Sequence, residues 1–141
     1  MYKELIKFIK NLYYGKKIIP LHEPYFDNDE KELVLKTIES TYVSSVGPNI
    51  DEFENQVASY TGVKYAISTV NGTSALHTSL LISGVQDNDE VITQSMTFVA
   101  TCNAIRYCNA VPIFIDIDRY CLGLSAELLS DFLHHNCEVR S

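Results

Sequence analysis

From residue 63 onward, short runs rich in β-branched and aromatic residues alternate with segments that have helical spacing. The runs cover residues 64–70, 90–93 and 111–117, and the helical segments between them begin near Thr73 and Phe98. This alternation is typical of βαβ units, in which helices cover both faces of a parallel sheet. The sequence therefore predicts an α/β fold with a mostly parallel sheet and flanking helices.

Amphipathic spacing or a capping pattern predicts helices outside this region as well. The predicted spans are 2–14, 27–40, 51–61 and 125–132. The second and third of these spans begin with an acidic residue followed three positions later by glutamate, which is the pattern of a capping box. We expect residues 1–26, a helix and a proline-containing extended arm, to precede an incomplete large domain over residues 27–141.

Composition narrows the classes of function. The chain is 46% apolar, enough for one domain with a core, and its net charge of −7 argues against nucleic acid or an anionic membrane as a partner. The four cysteines lack metal-finger spacing, so we expect reduced thiols and no metal site. Lysines interrupt the first fifteen residues, which argues against a signal peptide, and we expect a cytoplasmic protein.

The most informative segment is STVNGTSALHTSLL, residues 68–81. A strand that ends at Val70 and a helix that begins near Thr73 would direct the amides of residues 72–75 outward, where the helix dipole also favours an anion. Gly72 allows close approach, and the Thr73 and Ser74 hydroxyls add donors. The alternative is a plain strand-to-helix turn with a threonine N-cap. Walker and Rossmann glycine patterns are both absent.

Two further segments end strands at the edge of the sheet where ligands of open α/β folds bind. Phe98 follows the second strand, where an aromatic ring can lie flat against a heterocycle, although such a residue also commonly belongs to a core. Asp116 and Asp118 end the third strand. We interpret these carboxylates as caps of the following loop rather than as catalytic groups.

The order of the segments IPLHEPYF, SSVGPNIDEFE, TVNGTSALH, DEVITQSMTFVATCNAI and PIFIDID resembles the DegT/StrS family of sugar aminotransferases. The resemblance covers residues 18–133, and its most specific parts are N-G-T-S-A-L and T-F-V-A-T-x-N-A-I. It is strongest to the subgroup that acts on keto-deoxy UDP-N-acetyl sugars. It implies the N-terminal half of the large domain of a fold-type-I enzyme dependent on pyridoxal 5'-phosphate.

The resemblance also implies roles for individual residues. Gly72, Thr73 and Ser74 match the turn that holds the cofactor phosphate, and Phe98 matches the aromatic residue that stacks on the pyridine ring. The loop that contains Ser44, Gly47 and Pro48 matches one that lies near the substrate, at or across a dimer interface. The Schiff-base lysine of the family lies beyond residue 141, and no lysine follows Lys64.

The expected function is therefore the N-terminal part of an aminotransferase that converts a keto-deoxy UDP-N-acetyl sugar to an amino sugar for surface-polysaccharide or glycan biosynthesis. Glutamate is the expected amino donor, and the full-length relative is expected to be a homodimer. Without its lysine, the 141-residue chain is expected to be inactive by itself. The alternatives are a catalytically dead truncated product and a module that binds a phosphate-bearing ligand. A nucleotide-sugar dehydratase is disfavoured, because the glycine fingerprint is missing.

Overall fold

A computed structural model describes residues 2–138 of the chain. The elements in chain order are α1 (Tyr2–Leu12), α2 (Asn28–Glu39), α3 (Pro48–Thr61), α4 (Gly72–Ile82), β1 (Glu90–Gln94), α5 (Val99–Tyr107), β2 (Val111–Ile115) and α6 (Ala126–Asn136). The chain divides into two compact units, residues 1–51 and 52–141. In the described part of the chain, no helix is both long and apolar enough to cross a membrane.

The first unit contains α1, α2 and the start of α3. The capping box predicted at the start of α2 is present, since the Asp27 carboxylate accepts from the Asp29 amide at 2.9 Å and the Glu30 carboxylate accepts from the Asp27 amide at 2.8 Å. Asn49 donates to the Thr37 hydroxyl at 2.6 Å and thereby connects α3 to α2. The helix predicted over residues 2–14 is confirmed as α1.

The prediction that Asp51 begins the third helix was wrong. The helix α3 begins three residues earlier, at Pro48, and the Asp51 amide donates to the Gly47 carbonyl at 3.2 Å. Proline favours the first helical position because its fixed φ suits the helix and its missing N–H would be unpaired there in any case. Asp51 therefore lies in the first turn, and Glu54 is free for another contact.

The second unit has a parallel sheet, which confirms the predicted α/β class. Strands β1 and β2 pair in parallel, with Ile92 opposite Ile113, and α5 connects them. Helix α4 packs on α5, where the His77 and Tyr107 rings meet edge to face with their centroids 5.7 Å apart. The functional segments before α4 and α5 therefore belong to neighbouring helices of one unit.

The core of the second unit is small. Its most buried apolar residues come from α5, β2 and the connection between them: Ala104, Ile105, Cys108, Ala110 and Ile115. Leu80, Val85 and Val91 pack against this cluster and join α4 and β1 to it. Cys108 is buried in this cluster, where a free cysteine acts as a small apolar residue, and all four cysteines are free thiols.

The strand predicted over residues 64–70 is absent, and this prediction was wrong. The segment has no strand partner within the described residues, and Tyr65, Ile67 and Val70 are 73%, 83% and 88% exposed. A strand exists only when a neighbour accepts its backbone hydrogen bonds. The sequence pattern records a preference for extended backbone, but the hydrogen bonds that would make it a strand are missing here.

Candidate functional site

The turn before α4 is the central feature of the site. The helix begins at Gly72, and its N-cap is Asn71, whose side-chain oxygen accepts from the Ser74 amide at 2.9 Å. Asn71 has an extended backbone, with φ −165° and ψ 169°, as N-cap residues do. The alternative with a threonine N-cap is therefore wrong, because asparagine reaches the third amide of the helix.

The first-turn amides differ in their availability. The Ser74 amide is taken by Asn71, and the Ala75 amide donates to the Asn71 carbonyl at 3.1 Å. The Gly72 and Thr73 amides make no hydrogen bond to any residue of the range 2–138, and the same holds for the Thr73 and Ser74 hydroxyls. The expectation of four free amides is thus corrected to two, because the cap itself consumes the other two.

Neither backbone conformation nor packing against residues 2–138 requires a glycine at position 72. It is not among the glycines with positive φ, and a Cβ built on it meets no atom within 4 Å. The turn therefore presents two amides, two hydroxyls and an open approach at the positive end of an 11-residue helix. These groups fit a phosphate dianion, which needs several donors at close range.

Phe98 is the N-cap residue of α5 and makes no side-chain cap hydrogen bond. Its side chain is 78% exposed, so it does not belong to the core. An exposed aromatic ring at the start of a helix can stack on a planar ligand. That Phe98 lies within stacking distance of a ligand at the Gly72–Thr73 turn stays a prediction.

The predicted substrate residues lie together in the first unit. Ser44, Gly47 and Pro48 line a cavity of about 280 Å³. The remaining lining residues come from the end of α2, the following loop and the first turn of α3, and they are Thr37, Ser40, Tyr42, Val43, Val46, Asn49 and Ile50. The volume is near the lower limit for small-molecule sites, and it suits part of a ligand.

Gly47 shapes this cavity, and replacing it should destabilise the protein. Its φ is +154°, and an added Cβ would lie 2.9 Å from the Cβ of Tyr42. We expect Gly47→Ala to lower the free energy of unfolding by about 2 kcal/mol, because backbone strain and overlap act together. Gly15→Ala is the matched control, since Gly15 has a φ of +85° but open space around it. Equal losses in urea unfolding of the two variants would contradict the predicted overlap.

Of the two carboxylates that end the third predicted strand, that of Asp118 caps the following loop, as interpreted from the sequence. Asp118 accepts from the amides of Cys121 and Tyr120 at 2.9 Å and 2.8 Å, and these bonds hold the pKa of its carboxyl below the usual value. Asp116 accepts from the Ile117 amide at 2.8 Å and from the Ser95 hydroxyl at 3.2 Å. Both groups therefore have structural partners.

One contact near the turn is not indicated by the sequence. A single carboxylate oxygen of Glu54, on α3, accepts from the Ser68 amide at 2.7 Å and from the Ser68 hydroxyl at 2.9 Å. The amide bond, and after it the hydroxyl bond, lowers the pKa of the Glu54 carboxyl. Nothing in the spacing of these two residues indicates the contact, because the sequence pattern assigned Glu54 to a helix cap.

Most of the chain is similar in sequence to one family of aminotransferases. A sequence profile of the DegT/DnrJ/EryC1/StrS aminotransferase family matches residues 24–135. GDP-perosamine synthase of Caulobacter vibrioides is 42% identical over 111 residues, which cover 79% of this chain and 30% of the relative.

Two solved structures have the same fold over most of this chain. An aminotransferase from Psychrobacter cryohalolentis superposes with a TM-score of 0.72 at 30% identity and covers 79% of this chain and 29% of its own. NtdA from Bacillus subtilis, solved with bound cofactor PMP, superposes with a TM-score of 0.60 at 33% identity, over 75% and 26% of the two chains. The 141 residues thus correspond to less than a third of the length of each of these relatives.

Proposed function

The chain belongs to the DegT/DnrJ/EryC1/StrS aminotransferase family, and from this premise we propose that it supplies the phosphate-binding part of a sugar aminotransferase dependent on pyridoxal 5'-phosphate. The observation that carries the proposal is the turn at Gly72, where two amides at a helix N-terminus make no hydrogen bond within residues 2–138 and an added Cβ on Gly72 would meet none of these residues within 4 Å. When bound, the cofactor supplies an electron-accepting ring for amino transfer.

The residues of this chain would bind and orient the cofactor. The Gly72 and Thr73 amides, with the Thr73 and Ser74 hydroxyls, would hold the phosphate oxygens. The ring of Phe98 would stack on the pyridine ring. The cavity lined by Ser44, Gly47 and Pro48 would accommodate part of the sugar substrate. The covalent link to the cofactor is assigned to a lysine outside residues 1–141, as the family resemblance implies.

The proposed substrate is a keto-deoxy sugar linked to a nucleotide, and glutamate is the proposed donor of the amino group. We assign the sugar to the UDP-N-acetyl class, on the resemblance of the N-terminal helix and the segments after it. A GDP-linked keto-deoxy sugar is the second candidate, because GDP-perosamine synthase of Caulobacter vibrioides is 42% identical. We further propose that the whole protein is a cytoplasmic homodimer and that it takes part in the synthesis of surface polysaccharides.

An assay with matched substrates tests this assignment. The protein, in the full length that its gene encodes, would be incubated with glutamate and either a UDP-linked keto-deoxy N-acetylhexosamine or a GDP-linked keto-deoxyhexose. Formation of the amino sugar is followed by mass spectrometry, and the mass of the purified protein in solution is measured by light scattering. Turnover of the UDP-linked sugar by a dimer supports the proposal. Turnover of the GDP-linked sugar alone replaces it with the second candidate, and turnover of neither contradicts both.

Phe98 should contribute to binding of the cofactor but not to stability. Because the side chain is 78% exposed, Phe98→Ala is expected to leave the melting temperature unchanged. Loss of the stacking contact should weaken pyridoxal phosphate binding by about threefold to tenfold. The control is Tyr120→Ala, which removes another exposed aromatic ring, 98% exposed, from the loop after β2. Calorimetric titration that gives the same affinity for both variants would remove Phe98 from the site.

A further inference from the structure

The segment that leads into the phosphate-binding turn, residues 63–70, has very few contacts that hold it in place. Residues 63–70 make no backbone-to-backbone hydrogen bond within the part of the chain that the structure describes. Burial does not fix the segment either, because Ile67 and Val70 are 83% and 88% exposed. Neither a sheet nor the core therefore determines where this segment lies.

The two hydrogen bonds from Ser68 to Glu54 connect this segment to a helix. Both end on the same carboxylate oxygen, at 2.7 Å and 2.9 Å, and they join positions 14 residues apart. Within residues 2–138 they are the only hydrogen bonds from residues 63–70 to an element outside the segment and its turn. Hydrogen bonds to an ionised acceptor are shorter and stronger than neutral ones. Glu54 is therefore the main restraint on the position of Ser68.

The restraint continues from Ser68 to the turn through adjacent contacts. The next residue, Thr69, donates its hydroxyl to the Asn71 carbonyl at 3.0 Å. Asn71 in turn accepts from the Ser74 and Ala75 amides, which fixes it to the first turn of α4. The chain from Ser68 to Asn71 is thus held at both ends, at Ser68 by the Glu54 carboxylate and at Asn71 by the helix cap.

We infer that Glu54 is a positioning residue for the phosphate-binding turn, acting through Ser68 and without contact to the ligand. This inference rests on the proposed function, because it assigns phosphate to the Gly72–Thr73 amides. The charge of Glu54 contributes nothing favourable to an anionic ligand. Its ability to accept two hydrogen bonds is what matters, and glutamine retains an oxygen that can accept both.

The test compares variants of the purified protein by calorimetric titration with pyridoxal phosphate and with inorganic phosphate. Glu54→Ala is expected to weaken binding of both about tenfold, the equivalent of losing one charge-assisted hydrogen bond. Glu54→Gln keeps an acceptor for both hydrogen bonds but loses the charge that strengthens them, so it should weaken binding by about threefold at most. Ser68→Ala, which keeps the amide bond and loses the hydroxyl bond, should weaken binding about threefold.

Glu52→Ala is the matched control. Glu52 lies on the same helix and is exposed, and its side chain accepts from Gln56 one turn later. This variant should bind both probes like the unmodified protein. Hydrogen exchange of the Ser68 amide, which donates to Glu54, is the second readout, and Glu54→Ala, but not Glu52→Ala, should accelerate it.

The outcomes separate this inference from the proposed function. If the unmodified protein binds both probes and Glu54→Ala binds them equally well, the role of Glu54 is overturned while the phosphate site stands. Failure of Glu54→Gln to restore binding also overturns it, because the hydrogen bonds would not be the cause. If the unmodified protein binds neither probe, the phosphate site is wrong, and the role of Glu54 is overturned with it. If Glu54→Ala does not fold, Ser68→Ala and Glu54→Gln decide the question by the same criteria.

Discussion

Gly72→Asp is expected to weaken binding of pyridoxal phosphate at least a hundredfold while leaving the fold intact. The substitution places a carboxylate at the first position of α4, where the proposed phosphate lies. Two anions at this range repel each other strongly, and the added side chain also occupies the open approach to the amides. A carboxylate at a helix N-terminus is otherwise stabilising, by about 0.3–1 kcal/mol. Affinity and stability should therefore change in opposite directions.

Two variants isolate the cause of this loss. Ala126→Asp adds the same charge at the first position of α6, so it tests whether negative charge at any helix start weakens binding. Gly72→Ala adds only a methyl group, which meets no atom within 4 Å in the part of the chain that the structure describes. We expect Ala126→Asp to bind normally and Gly72→Ala to bind about tenfold more weakly than the unmodified protein. Calorimetric titration and thermal unfolding measure both quantities, and normal binding by Gly72→Asp would exclude the phosphate from this turn.

The 141-residue polypeptide by itself is expected to show no transaminase activity. The catalytic lysine of such an enzyme has to lie beside the cofactor and be activated by burial or a cationic neighbour. Lys64, the last lysine in the sequence, is exposed, and its ammonium group lies 5.0 Å from the centre of the Tyr65 ring.

Borohydride trapping tests this expectation. The polypeptide would be titrated with pyridoxal phosphate by absorbance, reduced, digested and mapped by mass spectrometry, with a keto-sugar and glutamate supplied in parallel. We expect scattered, substoichiometric labelling of surface lysines and no amino sugar. A Lys64→Arg variant is the control for labelling at the nearest lysine in sequence. Stoichiometric labelling of one lysine together with turnover would contradict the expectation.

The local signals in the sequence predict most helices correctly. Asp27 and Glu30 form the capping box that their spacing indicates, and Ser125 caps α6 by accepting from the Leu128 amide. These features depend on residues three or four positions apart, so a single sequence contains the necessary information. The alternation of strand and helix likewise predicts the parallel pair β1 and β2, because a helix that connects two strands of one sheet allows them to run in parallel. In the structure this helix is α5, and both strands lie against it.

The predictions were wrong where the local structure depends on a residue distant in the sequence or on a second, competing local signal. Residues 64–70 have the composition of a strand, but a strand also needs a neighbour to accept its hydrogen bonds. Asp51 and Glu54 match a capping box, yet the helix begins earlier, at Pro48. The Glu54 carboxylate therefore accepts a hydrogen bond from the Ser68 amide instead of capping the helix. The N-cap at Asn71 was missed because asparagine before glycine also indicates a turn.

The candidate site was also predicted only in part from the sequence. Gly72, Thr73 and Ser74 were identified from a local strand–glycine–helix pattern, and the structure places them at a helix start. How many amides remain free depended on the cap, which the pattern did not specify.

The measurement that tests the central claim most directly is a titration of the ¹⁵N-labelled chain with inorganic phosphate and with pyridoxal phosphate, followed by amide NMR. Among residues 2–138 the amides of Gly72 and Thr73 have no hydrogen-bond acceptor, while those of Ser74 and Ala75 are already bonded to Asn71. We predict saturable shifts that are largest at Gly72 and Thr73 for both ligands, and an additional shift near Phe98 with pyridoxal phosphate only. Shifts that do not saturate, or that are largest elsewhere in the chain, would contradict the assignment of this turn as the cofactor phosphate site.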